Sequence, residues 1–248
     1  MPVLRRVEQI MGLPISVDLR DGDPGLAELA FESLRQADAR FSPFKPDSEV
    51  SRLDRGELTA GELSPDLVEV LDLCDWYEES TGGAFTARVP GRGLDPCAVV
   101  KGWAVQRAAD LVRAAGATRF CVNAGGDVVV AGEPEPGKPW RVGVRHPDQA
   151  DALSVVLGVR DGAVATSALY ERGQHILDGR TGEPARGILS VTVLAADLVI
   201  ADTTATAAFS LGAEGIEWAA AQPDCAVFIV DEDRRVHRSP GLPVHMIC

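Results

Sequence analysis

The sequence predicts an α+β fold with largely antiparallel sheets flanked by helices, and three observations carry that prediction. Short apolar runs of strand-like composition follow one another across hairpin-sized connections. Only a few amphipathic helices interrupt them, so the regular strand–helix alternation of a parallel sheet is missing. The 248 residues, 46% of them hydrophobic, suffice for a substantial core and read as one large domain over residues 1–248.

Residues 26–40 place Leu26, Leu29, Ala30, Leu34 and Ala37 on one helix face, and residues 67–77 repeat the spacing with Leu67, Val70, Leu71, Cys74 and Tyr77. The second helix has a start signal. Ser64 can cap it, and Pro65 occupies the first turn, where a missing N–H costs nothing. A third helix is expected over 102–115 through Ala104, Ala108, Leu111, Val112 and Ala115, closed by Gly116. It leads into a strand at Phe120–Val122. After Asn123-Ala124-Gly125-Gly126, the run Val128–Val130 predicts a tight turn between two strands. Further strands are expected at 140–144, 155–159, 163–166, 190–195 and 226–230, the last paired with Val236. A helix over about 202–211, ending at Gly212, interrupts them.

The formal net charge is −13, with acids spread along the chain, which disfavours nucleic acid as a partner. A polyanionic ligand would need local compensation from a metal, a lysine or backbone amides. No run of about eighteen apolar residues occurs, so no membrane span is expected. The opening Met-Pro-Val-Leu-Arg-Arg lacks the apolar stretch of a secretory signal, and a soluble, cytoplasmic protein is expected. The five cysteines are far apart and form no C-x-x-C pair, so they read as reduced thiols, with Cys74 and Cys121 in the core.

Asp202 and Thr206 are four residues apart on the last predicted helix, so their oxygens share a face near its first turn. A hard cation such as magnesium takes such a pair together with substrate phosphates. An Asp near a helix start also serves as an ordinary cap or dipole partner. In Leu94-Asp95-Pro96-Cys97-Ala98-Val99-Val100-Lys101-Gly102, a lysine stands in an apolar approach to a helix, where it can meet a phosphate or remain a solvated helix-start lysine. The turn Asn123–Asp127 offers the amides of Gly125 and Gly126 to a phosphate or a flavin, and equally reads as a plain hairpin. It lacks the third glycine and the following helix of a dinucleotide fingerprint. His175, in a polar turn that runs to Gly182, can relay a proton or serve as a hydrogen-bonded structural residue. His146, His237 and His245 have no metal-ligand spacing and receive no role.

Taken in order, these segments resemble the ApbE family of FAD:protein FMN transferases across nearly the whole chain. The motifs are Met11-Gly12, Phe41-Ser42 through Ser48-Glu49-Val50-Ser51-Arg52-Leu53, Thr81-Gly82-Gly83-Ala84-Phe85, and Asp95 to Lys101-Gly102. They continue with Asn123-Ala124-Gly125-Gly126-Asp127, His175-Ile176-Leu177-Asp178 with Arg180-Thr181-Gly182, and Ala201-Asp202 with Thr206. The resemblance implies FAD lying against Met11, Phe44, Ala84, Phe85, Thr86, Asp95, Lys101 and Leu177, and Mg2+ held by the Ala98 carbonyl, Asp202 and Thr206. It implies transfer of FMN from FAD to a threonine of an acceptor protein, releasing AMP, with His175, Asp202 and Lys101 as the catalytic groups. Leu13, Phe44, Asp54, Thr86 and Ala168 depart from the family pattern, which carries Thr, Tyr, Asn, Asp and Gly there. The alternative is a non-catalytic FAD-binding or flavin-delivery protein with at most weak FAD pyrophosphatase activity.

Overall fold

A computed structural model describes residues 3–88, 91, 93–169 and 176–247. Its described residues form two antiparallel sheets and six α-helices, so the α+β expectation holds. The strands are β1 (Leu4–Ile10), β2 (Leu13–Leu19), β3 (Phe120–Ala124), β4 (Asp127–Ala131), β5 (Trp140–Arg145), β6 (Leu153–Val159), β7 (Gly162–Ala168), β8 (Ile188–Ala195), β9 (Ala226–Asp231), β10 (Val236–Arg238) and β11 (Val244–Ile247). The helices are α1 (Leu26–Phe41), α2 (Glu49–Asp54), α3 (Pro65–Ser80), α4 (Cys97–Ala114), α5 (Leu198–Ser210) and α6 (Gly215–Ala220).

The large sheet runs β1-β2-β3-β4-β7-β8-β9-β10, and the small one β11-β6-β5. Helices α1, α4 and α5 cover one face of the large sheet, and the small sheet covers the middle of the other. Sequence pattern explains this layering. On β4 every residue is buried, because Val129 and Ala131 face the helices while Val128 and Val130 face Trp140, Val155 and Leu157 of the small sheet. On β1, exposed and partly buried residues alternate, as one open face requires. The helix layer is locked by Phe41 of α1 against Trp103 of α4, edge to face at 5.2 Å.

Several elements differ from the sequence expectation. The hairpin β1–β2 was not expected, since Leu4–Gln9 is mostly polar and Pro14 stands in the second strand. Its turn is Met11-Gly12, with φ of 55° and 71°, the left-handed pair that matches strand twist in a two-residue hairpin. Helix α4 starts at Cys97, not 102, because the Asp95 carboxylate accepts the Cys97 amide at 3.1 Å and Pro96 precedes the first turn. Helix α5 starts at Leu198, not 202, because Asp197 caps it by accepting the Val199 amide at 2.6 Å. Helices α2 and α6 and strand β11 were also unexpected. Ser64 caps α3 as expected, accepting the Leu67 amide at 3.2 Å.

Candidate functional site

The chemistry gathers at one end of the large sheet, where the turns after β1 and β3 lie side by side. The Gly125 amide donates to the Pro14 carbonyl at 3.2 Å, and Leu13 packs against Gly125. The Gly126 amide donates to Asn123 Oδ1 at 3.0 Å. Both glycine amides are therefore already engaged, which corrects the expectation of free donors there. Gly12, Leu13, Asn123, Gly125 and Gly126 line a cleft of about 550 Å³.

Beside these turns, α4 and α5 cross closely at Gly102. A side chain there would meet the Leu198 carbonyl oxygen at 2.8 Å and the Asp202 Cβ at 3.0 Å, so only glycine lets the helices approach this far. The crossing places Asp202, 2% exposed, in the second turn of α5 and next to Lys101. That position removes the capping alternative for Asp202, since Asp197 is the cap. The Lys101 ammonium lies 3.0 Å from Asp202 Oδ1 and also pairs with Asp127 of β4, so it is not a solvated helix-start lysine. Asp127 Oδ1 in turn accepts the Thr166 amide of β7 at 2.9 Å.

Electrostatically the cluster holds two acids against one base. Burial would depress the Lys101 ammonium, but Asp202 and Asp127 more than offset it and hold the amine above the usual lysine range. Burial pushes the Asp202 carboxyl above the usual carboxylate range; Lys101 opposes that rise and Asp127 adds to it. Asp202 Oδ2 is buried without a hydrogen-bond partner. Such an atom is costly unless something else completes it.

The residues present suit a hard cation. Thr206 lies one turn beyond Asp202 on α5, and its hydroxyl is 3.1 Å from that of Ser167. The Ala98 carbonyl lies one turn before Gly102 on α4, the residue at which α5 and Asp202 come close. One carboxylate, one hydroxyl and one carbonyl are an oxygen-only donor set of the kind Mg2+ accepts alongside phosphates. Among the described residues, no group of three or more His, Cys, Asp and Glu side chains is arranged to hold a metal.

A second group of expected residues meets elsewhere. The Gly179 amide donates to the Ala84 carbonyl at 2.8 Å, joining the 81–86 segment to the stretch from Ile176, and Leu177 bridges to Pro184. Ala84 and Phe85 are buried, and Phe85 packs on Tyr77 at 5.7 Å between ring centres. The Thr86 hydroxyl donates to Glu78 at 2.7 Å and accepts the Arg88 amide at 3.0 Å. Asp54 accepts the Leu94 amide at 2.8 Å, tying α2 to the approach to α4. Met11 is half-buried in its turn, whereas Phe44 is 86% exposed. A cleft of about 360 Å³ lies between the loop Asp178–Arg186 and the end of α5 at Ser210–Gly212. Neither cleft is lined by Lys101 or Asp202. His175 lies outside the described residues. The residue to which sequence reasoning gave no role is Asp127, quoted there only as the last residue of the Asn123–Asp127 turn and motif.

The model of the ApbE family matches residues 11–90 and 86–229. The chain belongs to the ApbE family. An FAD:protein FMN transferase of Rhodobacter capsulatus is 35% identical over 172 residues, covering 65% of this chain and 32% of that protein. One from Vibrio cholerae is 32% identical over 164 residues, covering 61% and 49%. The chain thus spans a third to a half of the length of these curated relatives. Among solved structures, the ApbE protein of Thermotoga maritima aligns with a TM-score of 0.85 at 23% identity, over 96% of this chain and 97% of that one. The flavin transferase ApbE of Vibrio cholerae aligns with a TM-score of 0.83 at 22% identity, over 96% and 98%. These alignments establish the ApbE fold for the chain. No helix among the described residues is long and apolar enough to cross a membrane.

Proposed function

We propose that this ApbE-family chain is an FAD:protein FMN transferase: with Mg2+ bound, it moves FMN from FAD to a threonine of an acceptor protein and releases AMP. The observation that carries the reading is Lys101 held between two buried carboxylates, with Asp202 Oδ2 left without a partner. Asp202, Thr206 and the Ala98 carbonyl would hold the cation, which supplies positive charge to offset that developing on the pyrophosphate.

In the reaction the acceptor hydroxyl attacks the FMN-side phosphorus, the bond from that phosphorus to the bridging oxygen breaks, and AMP departs with the bridging oxygen. Lys101 donates toward the phosphate oxygens, and the hydroxyl proton passes to His175 or a nearby carboxylate. Met11, Ala84, Phe85, Thr86, Asp95, Leu177 and the turn at Gly125 and Gly126 would line the flavin nucleotide, with Phe44 offering an exposed ring for stacking.

A flavin-delivery protein is the second reading. It is favoured by the Thr86 hydroxyl, which is used by Glu78 and Arg88, and by Leu13, which covers Gly125. Incubating the chain with FAD, MgCl2 and candidate flavoprotein subunits separates the two. Transfer gives AMP and a subunit heavier by one FMN, whereas delivery gives neither.

A further inference from the structure

Asp127 touches both halves of the cation site without belonging to it. It stands on the helix-side face of β4 with Val129 and Ala131, is 4% exposed, and pairs through one oxygen with the Lys101 ammonium. Its other oxygen accepts the Thr166 amide at 2.9 Å, and the next residue, Ser167, meets the Thr206 hydroxyl at 3.1 Å. Asp127 therefore reaches Asp202 through Lys101, and Thr206 through β7.

We propose that Asp127 is a positioning residue that holds Lys101 toward the sheet and so leaves Asp202 Oδ2 open to a divalent cation; this rests on the functional reading above. An ammonium carries three donors, and beside a single buried carboxylate it is free to reach either oxygen. Here it bonds on the Oδ1 side of Asp202, and a second carboxylate, itself anchored by a backbone amide, takes another of its donors and draws it away from Oδ2. Removing that anchor frees Lys101 to neutralise Asp202 fully, and the lysine becomes a competitor of the cation. Asp127 sets the affinity of the site without contributing a ligand.

The test is calorimetric titration of the full chain with MnCl2 in the absence of FAD, with melting temperatures measured in parallel. Asp127→Asn should weaken Mn2+ binding by about ten- to a hundredfold, the range found when groups behind metal ligands are removed. Lys101→Met/Asp127→Asn should recover wild-type affinity to within about threefold, because the competing ammonium is gone. A purely structural role would leave the double variant as weak as the single one. Unchanged affinity in Asp127→Asn would overturn the proposal, and so would a double variant no tighter than the single one. The double variant leaves Asp202 buried without its lysine, so its melting temperature is read with and without MnCl2 to establish that it folds: in the folded double variant, binding about tenfold weaker than wild type would show Asp127 acting on the cation directly, against the proposal. Absence of Mn2+ binding in the wild type would instead remove the functional reading and this inference together.

Discussion

Replacing Gly102 by alanine should destabilise the protein even though alanine is the better helix former. In the interior of α4 the exchange returns about 1 kcal/mol of helix propensity. The added Cβ, however, would sit 2.8 Å from the Leu198 carbonyl oxygen and 3.0 Å from the Asp202 Cβ. Overpacking of this kind costs about 1–3 kcal/mol, and a backbone carbonyl in the first turn of α5 yields less readily than a side chain, so the upper half of that range applies. The difference is a net loss of about 1–2 kcal/mol, which for a chain of 248 residues lowers Tm by roughly 2–8 °C. The same shift displaces Asp202, so Mn2+ affinity should fall alongside. Thermal unfolding followed by circular dichroism, with titration of the folded variant, measures both. A Tm equal to or above wild type would refute the reasoning, because the helices would then cross with room to spare.

Three further outcomes are expected. Asp202→Ala should lower FMN transfer by roughly a hundredfold or more while changing FAD affinity much less, and chelator should reproduce the loss, since charge neutralisation matters most as the leaving phosphate develops; transfer undiminished in chelator would refute the cation assignment. Phe44→Ala should weaken FAD binding about two- to tenfold while leaving stability within about 0.5 kcal/mol, because the ring is almost wholly exposed; fluorescence titration and thermal melts decide, and unchanged FAD affinity would remove Phe44 from the binding surface. Burial pushes the Cys74 thiol up to about 12, so at pH 8 it should resist iodoacetamide in the folded chain and react once unfolded in urea; mass spectrometry of peptides containing Cys74 reads the difference.

Much of the fold was legible because periodicity survives in its well-buried elements. Helices α1 and α3, and the strands β3, β4 and β7 to β9, each carry an apolar pattern dense enough to read without a partner. Hairpin β1–β2 was not legible, because its open face carries Arg5, Val7 and Gln9 and its turn contains a methionine in a left-handed conformation. The starts of α4 and α5 were misplaced for a different reason. Their first turns are apolar on every side, and the carboxylates of Asp95, just before the N-cap of α4, and of Asp197, the cap of α5, are told apart from other acids only by the amides they accept.

The candidate site divides the same way. Sequence alone brought out the ordered motifs, the family they resemble, and the residue types suited to a phosphate and a hard cation, because such chemistry is a property of single side chains and short spacings. It left Asp202 open between ligand and cap, Lys101 between phosphate partner and solvated surface, and Asp127 without a role. Those alternatives concern residues 26 to 101 positions apart in the chain, and only tertiary structure removes the cap and the solvated-surface readings. The fold brings β4 under α4 and crosses α4 with α5 at a glycine, so one lysine falls between two buried acids and one carboxylate oxygen is left without a partner. Whether a charge is compensated depends on what the fold places beside it, and no local pattern encodes that.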